Sequence, residues 1–116
     1  MADVLRENHR SDLRVFVIWE PVLETDWGTP SQALTGYVAD PRVMHFWDRD
    51  RRLSSAYGGV QNLPALATME RVGFRMKDIV WDTALLYSPS AAWGRPAELL
   101  LAPVFQYRAD LAAALR

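Results

Sequence analysis

The chain has 116 residues, half of them hydrophobic and 23% charged, and its 13 basic and 14 acidic side chains leave a formal net charge of −1. That length accommodates one domain with a buried core and excludes two ordinary ones, and the even charge balance gives no electrostatic footing for nucleic acid. Cysteine is absent, which removes disulfides, thiolate nucleophiles, CxxC redox pairs and cysteine metal sites together.

Residues 1–12 read as a polar N-terminal arm, with the domain proper over residues 13–116. Between Ala2 and Arg10 the only large apolar residues are Val4 and Leu5, so a frayed arm or short helix outside the core is expected. The arm has no apolar h-region, and no apolar run approaches the roughly 20 residues of a membrane span, so a cytoplasmic location without membrane contact is expected.

Leu13 to Val22 (LRVFVIWEPV) is rich in β-branched and aromatic residues and predicts a buried central strand ending at Pro21. Leu23 to Pro30 carries loop chemistry. Thr29 as N-cap and Pro30 at the first helical position predict a helix over Ser31 to Val38, with Leu34, Tyr37 and Val38 on its apolar face and Asp40-Pro41 as its stop. Arg42 to Trp47 alternates Val43, His45 and Trp47 against Met44 and Phe46, the pattern of a short second strand.

Asp48 to Arg52 is a charged turn, and Leu53 to Lys77 reads as a broken helix with a long loop, interrupted by Gly58, Gly59, Pro64 and Gly73. Asp78 to Tyr87 and Glu98 to Phe105 predict the two arms of a hairpin joined by Ser88 to Pro96. Tyr107 to Leu115 closes the chain as an alanine-rich helix with Leu111 and Leu115 facing inward.

Strand, helix, strand, helix, hairpin and terminal helix make a βαβ unit followed by ββα, the thioredoxin topology. The stretches VFVIWEPVLETDWGTPS, DPRVMHFWD and DIVWDTALLY before SPSAAWG resemble a family of uncharacterised bacterial thioredoxin-like proteins. The resemblance covers nearly the whole chain after Leu13. It implies an α/β three-layer sandwich around a central mixed sheet of about four strands. Where redox-active thioredoxins carry CxxC, this chain has Trp19 to Pro30 without cysteine, and Lys77-Asp78 stands in place of their cis-proline. No catalytic residue carries over, and thiol-disulfide oxidoreductase activity is excluded.

If the first two strands are parallel and the third runs antiparallel beside the first, one sheet edge gathers Glu20, Asp26, Trp27, Asp48, Trp81 and Asp82. Open α/β sheets bind ligands at such edges. Carboxylates beside tryptophans could hold a cationic or polar ligand, or a carboxylate with a raised pKa could act as a general acid or base. The structural alternatives are an Asx-turn at Asp26, a turn cap at Asp48 and tryptophans in the core. Trp93, beside Arg95 in the hairpin loop, reads either as a protein contact or as an anchor onto the core.

His45 lies near Asp48 but matches no metal-ligand spacing and reads as a structural histidine. Ser88, His45 and Asp82 could be written as a triad, but no GxSxG elbow supports it. The glycines lack both phosphate-loop signatures. Neither a cofactor nor a metal is expected. Of the basic residues only Lys77 is a lysine; the arginines either pin carboxylates inside the fold or reflect genomic base composition. Two functions remain open: a redox-inactive binding domain for a protein partner or a second copy, and a thiol-independent enzyme whose acidic residues, led by Glu20 and Asp48, act on a small polar substrate.

Overall fold

The computed structural model describes residues 1–23, 25, 26, 28–58, 79–92, 94, 95 and 97–116. In chain order they form α1 (Ala2–Glu7), β1 (Val15–Trp19), α2 (Gln32–Gly36), β2 (Val43–Trp47), α3 (Arg52–Gly58), β3 (Ala84–Leu86), β4 (Leu99–Leu101) and α4 (Arg108–Ala114). The architecture is mixed α/β. Among the described residues the strands make two two-stranded sheets, parallel β1–β2 and antiparallel β3–β4, where the sequence predicts one mixed sheet of about four.

The parallel pair runs from Val15 opposite Val43 to Trp19 opposite Trp47. Because strand side chains alternate, Phe16, Ile18, Met44 and Phe46 share one face, and Val15, Val17, Trp19, Val43, His45 and Trp47 share the other. The first of these faces is open: Phe16 is 59% exposed, Met44 52% and Phe46 44%, with the two phenyl rings 6.1 Å apart. The predicted buried central strand over Leu13 to Val22 is therefore corrected to a five-residue strand with one face in solvent.

Helix α2 is shorter than predicted, and its cap is Ser31 rather than Thr29. Ser31 has extended backbone and its Oγ accepts from the Leu34 N–H, so Pro30 precedes the cap instead of opening the helix. Leu34 and Tyr37 are exposed, and no residue of α2 is buried. Five residues are too few to turn a whole apolar face inward.

The β3–β4 hairpin pairs Ala84 with Leu101 and Leu86 with Leu99. Its arms are three residues each because Asp82 adopts φ 46°, which breaks the extended run before β3, and because Pro103 supplies no N–H beyond β4. Leu101 packs with Val4, Leu111 and Leu115 in one core cluster, rimmed by Leu13, Ala84, Leu86, Leu99, Val104 and Tyr107. Leu111 and Leu115 thus face inward as the i, i+4 spacing predicts.

The N-terminal arm is the larger correction. Residues 2–7 form a helix packed on α4, and Leu5, 1% exposed, is among the most buried side chains described. Val4 joins the leucine cluster of the hairpin and α4, and Leu5 beside it is buried as well; each buried aliphatic side chain of this kind contributes about 1.5–3 kcal/mol. The broken helix expected over Leu53 to Lys77 is described only as far as α3, and residues 59–78 lie outside the described residues.

Candidate functional site

Helix α3 begins just beyond the C-terminal end of β2, and its first-turn N–H groups need acceptors. The residue preceding it, Arg51, has φ 54° and no short side-chain oxygen to offer. The acceptors come instead from two carboxylates at the ends of neighbouring strands. Leu53 N–H donates to Asp48 Oδ2 at 2.6 Å, and Ser54 N–H donates to Glu20 Oε1 at 3.2 Å. Asp48 is itself fixed to β1, since its N–H donates to the Trp19 carbonyl at 2.9 Å.

Ser54 joins this cluster to the rest of the fold. Its hydroxyl, 0% exposed, donates to Glu20 Oε2 and accepts from the Val80 N–H at 2.8 Å. Glu20 ends an apolar strand, so its charge requires solvent or partners. Ser54 and the α3 backbone are those partners. The two carboxylates are thereby engaged as helix caps, and the serine oxygen has both its proton and its acceptor capacity in use.

The remaining predicted site residues diverge. Asp26 folds onto its own turn, accepting from the Leu23 N–H at 2.9 Å while its backbone N–H donates to the Leu23 carbonyl. Asp82 faces the far end of the hairpin: its carbonyl accepts from the Val104 N–H at 2.7 Å. Burial pushes the Asp82 carboxyl above the usual aspartate range, against the opposing pull of the Phe105 and Val104 N–H groups and the chain's amino terminus. Trp81 is 38% exposed, and its carbonyl accepts from the Thr83 hydroxyl. The expected gathering of acidic residues at one edge is thus reduced to Glu20 and Asp48. Trp27 and Trp93 lie outside the described residues.

Two further pairings involve residues the sequence treats as ordinary. The Trp19 indole N–H donates to His45 Nδ1 at 3.0 Å, with the rings stacked 6.0 Å apart. An imidazole accepting at Nδ1 carries its proton on Nε2, so in this arrangement the Nδ1 lone pair is engaged by the indole. His45 borders a shallow depression of 420 Å³, lined also by Gln32, Thr35, Val38, Asp40 and Val43. Among the described residues no three metal-ligating side chains cluster.

Arg42 forms the second pairing. Its guanidinium meets Asp40 bidentately at 2.8 and 2.9 Å, and both side chains are only 15% exposed. The same guanidinium donates to the carbonyls of Leu5, Asn8 and Arg10 at the C-terminal end of α1 and just beyond it. The Asn8 amide in turn donates to the Leu115 carbonyl at 2.8 Å. The arginine and the backbone N–H beside it hold the Asp40 carboxyl down at about 2. Arginine bias in the sequence was a signal for such a residue, though it did not single out Arg42; Ser54, one of two adjacent serines at the start of the stretch read as a broken helix, had none.

Comparison of the chain with models of known protein families, with curated proteins and with solved structures finds no match. No helix among the described residues is long and apolar enough to cross a membrane.

Proposed function

We propose that the chain is a redox-inactive, thioredoxin-like interaction domain that binds the apolar side of an amphipathic helix from another protein. The open β1–β2 face carries this reading: Phe16, Met44 and Phe46 stand exposed there with no charged side chain between them. The parallel β1–β2 unit connected through α2, followed by an antiparallel hairpin and α4, supports the thioredoxin-like layout. With no cysteine in the sequence, thiol redox chemistry has no centre here, which supports the redox-inactive reading.

The size of the face argues for a helix rather than a second copy. Its exposed side chains offer on the order of 300 Å², well below the roughly 800 Å² per partner of a stable interface, but enough for one helix face laid across two strands. The enzyme alternative finds less support, because Glu20 and Asp48 are occupied as caps and line no closed pocket among the described residues.

The test is a titration of the ¹⁵N-labelled chain with an amphipathic Leu-Lys helical peptide. Shifts confined to residues 15–19 and 43–47, and lost in the Phe16→Ser/Phe46→Ser double variant, are the expected result. Sedimentation showing a dimer abolished by the same substitutions would replace the helix with a second copy. A monomer that ignores the peptide would remove the proposal, and a small polar compound raising Tm only when Glu20 is present would restore the enzyme.

A further inference from the structure

We propose that Met44 is an oxidation site that switches the open β1–β2 face: as a thioether it belongs to an apolar docking surface, and as a sulfoxide it turns an apolar partner away until it is reduced again. This inference rests on the reading of that face as the place where the apolar side of a helix docks. The sequence has no cysteine and four methionines, so thioether sulfur is what the chain presents to a two-electron oxidant. Met44 stands 52% exposed on β2, which opens its sulfur to a molecule as small as hydrogen peroxide.

Strand geometry fixes where that sulfur acts. Met44 pairs with Phe16 across the two strands, and Phe46 follows two residues along on the same face, with Ile18 on the diagonal. The Phe16 and Phe46 rings lie 6.1 Å apart, so Met44 borders both members of the aromatic pair. A helix laid over the two rings covers Met44 with them. Unbranched and polarisable, methionine adapts to such a partner more readily than a β-branched residue would.

In the oxidation, a sulfur lone pair attacks one oxygen of the peroxide. An S–O bond forms as the O–O bond breaks, and the departing hydroxide takes up the proton left on the transferred oxygen and leaves as water. Sulfur loses two electrons and the peroxide gains them. The new oxygen is a strong acceptor that water satisfies while the face is free. Under a docked apolar helix it loses that water, and the side chains sharing its face, Phe16, Ile18 and Phe46, carry no donor. Methionine sulfoxide reductases reverse the step, a dithiol becoming a disulfide while the oxygen departs as water.

The experiment titrates the ¹⁵N-labelled chain with the Leu-Lys helical peptide before and after treatment with hydrogen peroxide, the modified positions being read by mass spectrometry of a digest. Met44 is expected to gain one oxygen, more slowly when the peptide is present in excess. The peptide Kd is expected to rise about 5- to 150-fold, the factor for one buried acceptor left unpaired, and to return after sulfoxide reductase and dithiothreitol. Amide signals outside residues 15–19 and 43–47 are expected to stay in place. Met44→Leu, whatever its own affinity, should give the same Kd before and after peroxide, although Met1, Met69 and Met76 are still present. Met44 left intact while free methionine in the same tube is consumed overturns the site. A sulfoxide at Met44 with unchanged Kd, a loss of binding that persists in Met44→Leu, or a collapse of the whole spectrum on oxidation overturns the switch. A chain that ignores the peptide before any peroxide is added removes the docking reading and the switch with it, which separates that failure from the others.

Discussion

Replacing Ser54 by alanine removes a single oxygen from a site with no solvent access. The backbone N–H of Ser54 still reaches Glu20 Oε1, but the Val80 N–H loses its acceptor and Glu20 Oε2 loses its hydroxyl donor. A buried N–H left unpaired costs about 1–3 kcal/mol, and a hydrogen bond to a charged group contributes about 1.5–3 kcal/mol. Both losses fall on one oxygen and relax together, so the expected cost is about 2–4 kcal/mol. With a urea slope of about 1.5 kcal/mol/M for a domain of this size, the unfolding midpoint should drop by about 1.3–2.7 M with the slope unchanged. The double-mutant cycle with Glu20→Gln should show a coupling of about 0.5–3 kcal/mol. A midpoint shift below about 0.3 M, or strict additivity with Glu20→Gln, would refute the idea that this hydroxyl ties β1, α3 and the approach to β3 together.

Three other outcomes are expected. Leu5→Ala, at 1% exposure, should cost about 2–5 kcal/mol in urea unfolding, whereas an arm lying outside the core would cost almost nothing. Asp40 is depressed from 3.8 to about 2 in the fold, so its contribution is present above about pH 4 and is lost as pH falls toward 2. The stability gap between the unsubstituted chain and Asp40→Asn, measured by chemical unfolding at stepped pH, should close over that interval. The raised carboxyl of Asp82 has the opposite sign: ionisation there favours the unfolded chain, so Asp82→Asn should be the more stable form at neutral pH, with the gain vanishing under acid conditions. Asparagine also tolerates the φ of 46° at this position, which makes equal or lower stability of the variant at pH 7 the refuting result.

The local elements were readable in the sequence where one pattern dominated. The alternation in Arg42 to Trp47 gives β2 and its two faces, and the leucine spacing in Tyr107 to Leu115 gives α4 and its buried side. What failed to be read depended on tertiary partners. Val4 and Leu5 are too few to register as a periodic face, yet both are buried, Val4 against the α4 and hairpin leucines. Phe16 has the composition of a buried strand, but composition does not say which face of a sheet is covered. At the candidate site, the sequence brings Glu20 and Asp48 to attention because strand ends carry them; it cannot say that Ser54 will face one and the backbone of Leu53 the other. Asp82 was drawn to the same edge on the assumption of a single sheet, and it leaves that edge because the hairpin is separate among the described residues, whereas Asp26 turns back onto Leu23 in its own loop.

The hydrogen bond from Asn8 to Leu115 spans a separation of 107 residues. Its geometry imposes an order of events on synthesis. The first helix emerges well before Leu111 and Leu115, the α4 leucines that complete the cluster around Val4, which follow about 5–20 s later at ordinary elongation rates. For that interval Val4 lacks its α4 partners on the nascent chain, leaving the kind of apolar surface that holding chaperones engage. The same closure makes the native contacts non-local and slows folding relative to a helical bundle of similar length.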